Sequence, residues 1–88
     1  MEVCVNGVKL SYEVMGNGRP LLMVHGNGES HEIFSEAAEL LSERFTCYLV
    51  DSRGHGKSQP VESLSYDTMA DDMISFIKEM KMNTFCIM

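Results

Sequence analysis

The sequence predicts an α/β domain in which an antiparallel hairpin leads into parallel strands joined by crossover helices. Three observations carry this reading. An Asn-Gly pair sits between two alternating runs, three largely apolar runs have strand length, and two segments of helical periodicity separate those runs. Strands that alternate with helices imply right-handed crossovers and a parallel sheet. The 88 residues suffice for one small domain and show no repeat, low-complexity tract or linker.

The elements follow in order. Val3 and Val5, then Val8, Leu10, Tyr12 and Val14, alternate with polar residues across Asn6-Gly7. Both positions of such a turn need positive φ, which is what Asn-Gly offers. Residues Met15 to Pro20 read as a loop. Pro20 to Val24 is a continuous apolar run, suited to a strand buried on both faces. Ser30 can cap the next helix, with Glu32 in its first turn and Arg44 in its last. Ile33, Ala37, Leu40 and Leu41 form its apolar stripe, widened by Phe34 and Ala38. His31 and the acids of this helix read as a solvated face. Phe45 to Val50 is a second buried strand. Ser65 can start another helix, with Asp67 near its beginning, Lys78 and Lys81 near its end, and Met69, Met73, Phe76, Ile77 and Met80 as its buried stripe. Thr84 to Met88 reads as a further buried strand.

Composition narrows the function classes. With 44% hydrophobic and 8% aromatic residues the chain can form a packed core. Thirteen acidic residues against seven basic ones give a formal charge of −6. Such a surface repels phosphate backbones and anionic lipid heads, so neither nucleic acid nor membrane is an expected partner. No apolar run approaches the ~20 residues of a bilayer span. Met1-Glu2-Val3-Cys4 lacks the plan of a secretory signal. Cys4, Cys47 and Cys86 each lie in an apolar run, an odd count with no metal-site spacing; they read as buried, reduced thiols of a cytoplasmic protein. The eight methionines read as core filler.

Chemistry in an open parallel sheet gathers beyond the carboxyl ends of the strands. Two loops lie there, His25-Gly26-Asn27-Gly28-Glu29-Ser30 and Asp51-Ser52-Arg53-Gly54-His55-Gly56-Lys57-Ser58. A dinucleotide site would use Gly26 and Gly28 with Asp51 as the ribose acid. His31 occupies its third glycine position, however, and a side chain there hinders close helix–strand packing. A phosphate-binding P-loop would end in Gly56-Lys57-Ser58. Its first glycine is replaced by Asp51, which would set a carboxylate against the phosphates, and Gln59-Pro60 interrupts the helix that should follow. No cofactor is expected.

The same two loops resemble those of the α/β-hydrolase fold family. His25-Gly26-Asn27-Gly28 is similar to that family's H-G-x-x turn, and the segment from Asp51 to Ser58 to its D-x-R-G-x-G-x-S loop. The likeness covers the whole chain, and its order of strands would be one, two, four, three, five. It implies that residues 1–88 are the N-terminal portion of a single, incomplete hydrolase domain. It also implies an enzyme acting on an ester, amide or related bond of a small-molecule substrate.

Acyl transfer builds negative charge on a carbonyl oxygen. Loss of one preorganised backbone donor to that charge costs about 2.7–4 kcal/mol of barrier. By position, the resemblance assigns the first oxyanion donor to the backbone N–H of Asn27, with Gly26 and Gly28 letting the main chain approach the substrate. The Asn27 side chain resembles the asparagine with which haloalkane dehalogenases hold a leaving halide. Gly28 stands where those enzymes usually have proline, so Asn27 reads as turn chemistry. His25 is expected to bond loop backbone and not to catalyse. Asp51, Arg53, Gly54, His55, Gly56 and Ser58 are expected to support the site's floor.

The second donor, a strained elbow carrying the nucleophile, should follow the fifth strand, and an acid and a histidine should come later. None of these is expected within the 88 residues, so the chain alone should be inactive. A strand from Thr84 to Met88 lacking its neighbour would be an open apolar edge inviting self-association. The alternative reading is a non-catalytic module that binds through that edge.

Overall fold

The computed structural model describes residues 1–25, 30–61, 65–82 and 86–87. Its elements are β1 (Glu2–Val5), β2 (Val8–Gly16), β3 (Arg19–Val24), a 3₁₀ turn (His31–Phe34), α1 (Ser35–Leu41), β4 (Phe45–Val50), α2 (Tyr66–Glu79) and β5 (Cys86–Ile87). They form one five-stranded sheet in the order β1-β2-β4-β3-β5. β3 runs parallel to both β4 and β5, whereas β2 is antiparallel to β1 and β4. This is the order that the resemblance implies.

Asn6 and Gly7 turn the hairpin with φ of 47° and 80°, so Val5 faces Val8 across it. β2 then changes partners. Residues 8–11 pair with β1 and residues 12–16 with β4. The expected loop from Met15 to Pro20 shrinks accordingly. Met15 and Gly16 pair with Cys47 and Thr46, Arg19 and Pro20 pair with Phe45 and Thr46, and only Asn17-Gly18 lies between. The short connection runs so close to the chain entering β4 that a Cβ on Gly18 would collide with the Arg44 carbonyl. Of the expected strand from Thr84 to Met88, the backbone at Cys86 and Ile87 is strand; Thr84, Phe85 and Met88 lie outside the described residues.

The side chains of β3 alternate between two cores. Leu22 joins Val5, Val8, Leu10, Val50, Met73, Phe76 and Met82 on the face that α2 covers. Leu21 and Met23 join Ala38, Cys47 and Leu49 on the face that α1 covers. α2 begins at Ser65, whose side chain accepts the Thr68 N–H at 3.1 Å, and buries the expected stripe around Met73 and Phe76. It ends earlier than Lys81. That residue takes φ of 57° just past the helix, while the N–H of Met82 returns to the Ile77 carbonyl at 3.1 Å and that of Lys81 to the Lys78 carbonyl at 3.1 Å. This is a Schellman closure, with lysine in the position usually held by glycine.

α1 departs further from expectation. Its first turn is 3₁₀, it ends at Leu41 and leaves Arg44 outside, and Ile33 and Leu40 are 51% and 80% exposed. The face that meets the sheet is Phe34, Ala37, Ala38 and Leu41. Cys4 is exposed instead of buried, because it points to the outer face of the edge strand β1. Cys47 is buried, and burial raises its thiol pKa. Among the described residues no helix is long and apolar enough to cross a membrane.

Candidate functional site

Val24 pairs with Val50 at the last rung of the parallel β3–β4 ladder. His25 and Asp51 therefore leave the sheet side by side, at the edge where α/β proteins bind ligands. Gly26, Asn27 and Gly28 lie outside the described residues. His25 and the loop from Asp51 to Ser58 are described.

The second loop closes on itself by short backbone bonds. His55 donates to the Ser52 carbonyl at 3.0 Å, Ser58 to His55 at 3.0 Å, and Gly54 to Gln59 at 2.9 Å. It also continues the sheet where β4 has ended. Gln59 donates to the Lys9 carbonyl at 2.8 Å, and the Ser11 N–H reaches Ser58 Oγ at 2.8 Å. The Ser58 hydroxyl in turn donates to the Asp51 carbonyl at 2.5 Å. These bonds lay the loop against β2.

Asp51 is the centre of the arrangement and is fully buried. Its Oδ1 accepts the backbone N–H of His31 at 2.7 Å and lies 2.8 Å from His31 Nδ1; its Oδ2 accepts the Lys57 N–H at 3.0 Å. Burial by itself raises the pKa of this carboxyl. The N–H groups of His31 and Lys57, together with the His31 ring, outweigh that and hold it below the usual carboxylate value. The carboxylate also rests on Gly56. With φ of 51° and no room for a Cβ against Asp51, that position requires glycine.

His31 corrects the sequence reading. It is 6% exposed and does not belong to a solvated face. Its ring bridges Asp51 and Glu13, with Nε2 3.5 Å from a Glu13 oxygen. The 3₁₀ turn brings His31 inward at the start of the helix, where helical periodicity carries no information about direction. Ser30 caps that turn with a 3.4 Å contact to the Glu32 N–H.

His25 Nε2 accepts the Ser52 N–H at 3.0 Å, which fixes the proton of the neutral ring on Nδ1. His55 donates from Nδ1 to the Arg53 carbonyl at 3.0 Å, and its ring centroid lies 5.1 Å from that of His25. Arg53 turns away from this group. Its Nε and one terminal nitrogen meet the two Asp72 oxygens at 2.6 and 2.8 Å, and that bond raises the guanidinium pKa further. Asp51, His55 and Ser58 are thus gathered at the sheet edge, whereas Arg53 anchors the loop to α2. Among the described residues no three His, Cys, Asp or Glu side chains are grouped to hold a metal ion.

Ser52, His31 and Asp72 are the residues that the sequence reading missed. Asp72 left a signal, since an acid beside Met73 and one turn before Phe76 interrupts an apolar stripe and needs a cationic partner. Ser52 and His31 left none, because their roles arise from backbone groups and tertiary placement.

Residues 19–84 match a family model described as the alpha/beta hydrolase fold. The chain is 42% identical over 72 residues to the AB hydrolase superfamily protein YisY of Bacillus subtilis, covering 80% of this chain and 27% of that protein. It is 38% identical over 64 residues to a pimeloyl-acyl-carrier-protein methyl ester esterase of Chromobacterium violaceum, covering 73% of this chain and 25% of that one. Among solved structures, the esterase EaEST of Exiguobacterium antarcticum superposes with a TM-score of 0.88 at 32% identity, covering 94% of this chain and 32% of that one. The chain therefore spans about a quarter to a third of the length of these similar proteins.

Proposed function

The chain belongs to the α/β-hydrolase fold family, and on that premise we propose that it forms the N-terminal part of a hydrolase that cleaves small-molecule esters by nucleophilic catalysis. In this reading Asn27 gives its backbone N–H to the oxyanion of the tetrahedral intermediate. The nucleophile, with the second donor beside it, is assigned to the turn that follows β5, and the acid and histidine to later residues. His25 and the loop from Asp51 to Ser58 hold the floor. The ester preference draws on the two esterases among the similar proteins.

One observation carries the reading. β5 lies parallel beside β3, with Leu22 opposite Ile87. Parallel neighbours end at the same edge, so a chain leaving β5 starts beside the end of β3. A nucleophile and an oxyanion donor need that adjacency to act on one carbonyl.

The experiment compares two substitutions in the full-length enzyme with p-nitrophenyl acetate. Asn27→Pro deletes the donor and should lower kcat about 10²–10³-fold, whereas Asn27→Ala keeps the N–H and should lose far less. Equal losses in both would assign the work to the side chain and end the backbone-donor reading. The coding sequence beyond codon 88 should supply a G-x-S-x-G turn, or its aspartate or cysteine equivalent, within roughly ten residues. A long frame without one would end the catalytic reading.

A further inference from the structure

The segment that leaves β3 starts at His25 and returns at His31, and adjacent residues at the end of β4 grip both points. Ser52 donates its N–H to His25 Nε2 at 3.0 Å. Asp51 Oδ1 accepts the His31 N–H at 2.7 Å and lies 2.8 Å from the ring Nδ1. The first N–H groups of a helical turn have no partner inside it, so here a buried carboxylate supplies one. The grip itself is braced. Lys57 donates to Asp51 Oδ2 at 3.0 Å, and Gly56 closes the space behind the carboxylate.

We propose that Asp51 is a positioning residue that, through His31, fixes one end of the segment containing Asn27, while Ser52 fixes the other end through His25. The inference rests on reading Asn27 as the oxyanion donor. A carboxylate suits the role because one oxygen takes both His31 donors while the other takes the Lys57 N–H. An amide at position 51 would turn an NH₂ toward one of these donors.

Asparagine at position 31 retains a donor near the place of Nδ1, whereas leucine fills the space without one. In the full-length enzyme acting on p-nitrophenyl acetate, His31→Leu should lower kcat about tenfold to a hundredfold, the scale of a small misplacement of a reacting group. KM should stay within about twofold, as expected when an interaction made only in the transition state is weakened. His31→Asn should recover most of the loss. Unchanged kcat in the leucine variant, an equal loss in both variants, or a loss confined to KM would overturn the proposal. If Asn27→Pro leaves kcat intact, the donor reading itself has failed, and the proposal falls with it. A wild-type measurement covers variants that do not fold. The His31 and Ser52 amides should exchange hydrogen slowly, in contrast to the unpartnered first amides of an ordinary helix. Exchange at the rate of an exposed helix start would refute the clamp whatever the kinetics give.

Discussion

Asp51 shows how a single carboxylate can hold a loop in place. With no exposure to water it would favour the neutral form, yet the donors around it favour the charged one and win. Its pKa in the folded protein therefore lies below its unfolded value of about 3.9. The stabilisation is complete above that unfolded value and is lost as pH falls through the folded one. Asp51→Asn should accordingly be less stable than the wild type at pH 7, and the difference should narrow below about pH 4. Urea midpoints at pH 7, 5 and 3 measure this. A gap that stays constant across the three would show that the Asp51 charge contributes nothing to folding. Gly56 is inseparable from this residue, because the carboxylate occupies the space where its Cβ would be.

At the scale of elements, one ion pair joins three of them. Asp72 of α2 takes a forked bond from Arg53 of the loop after β4, and Asn6 of the hairpin turn donates to the same carboxylate at 3.2 Å. Ser75 reaches back to the Asn6 side chain at 3.2 Å. Removing one partner from a buried pair leaves an uncompensated charge, whereas replacing both with apolar groups is often nearly neutral. Arg53→Met should thus destabilise by about 3–5 kcal/mol, and adding Asp72→Leu should recover a good part of that. Chemical denaturation of the two variants tests the pair; a double variant no more stable than Arg53→Met alone would count against it. The elements themselves were unequally legible. α2 could be read because Ser65 caps it and its apolar positions recur with the helical period. α1 was legible as a helix but not in its length or facing, since its apolar arc is broader than the sheet face it covers. Hydrophobicity marked that arc but not the part of it, Phe34 to Leu41 without Leu40, that finds the sheet. In the site, residue types on the two loops were visible, but bonds made by the Ser52 and His31 main chain depend on which strands are neighbours.

At the scale of the molecule, β3 and β4 organise both cores, because successive side chains of a buried strand serve opposite faces. Leu22 and Val50 face α2, while Leu21, Met23, Cys47 and Leu49 face α1. The two layers are not equal. α2 has fourteen residues and α1 seven, and the larger aromatic contacts lie under α2. Phe76 is fully buried there, its ring 5.2 Å from that of Tyr12 and 6.1 Å from that of Tyr48, both edge to face. Those tyrosines come from β2 and β4, so this one side chain ties α2 to the antiparallel and the parallel parts of the sheet. Truncating such a phenylalanine removes its transfer free energy and leaves a cavity, at a cost of about 3–5 kcal/mol. Native domains are stable by only about 5–15 kcal/mol in total, so the loss should be conspicuous. Phe76→Ala is therefore expected to lower the urea midpoint sharply and to weaken the tyrosine signal in near-ultraviolet circular dichroism. Truncation at Leu40, which is 80% exposed on α1, should leave both unchanged within about 0.5 kcal/mol. Comparable losses from Phe76→Ala and Leu40→Ala would mean that α1 seats Leu40 against the sheet, which would overturn this division of the core.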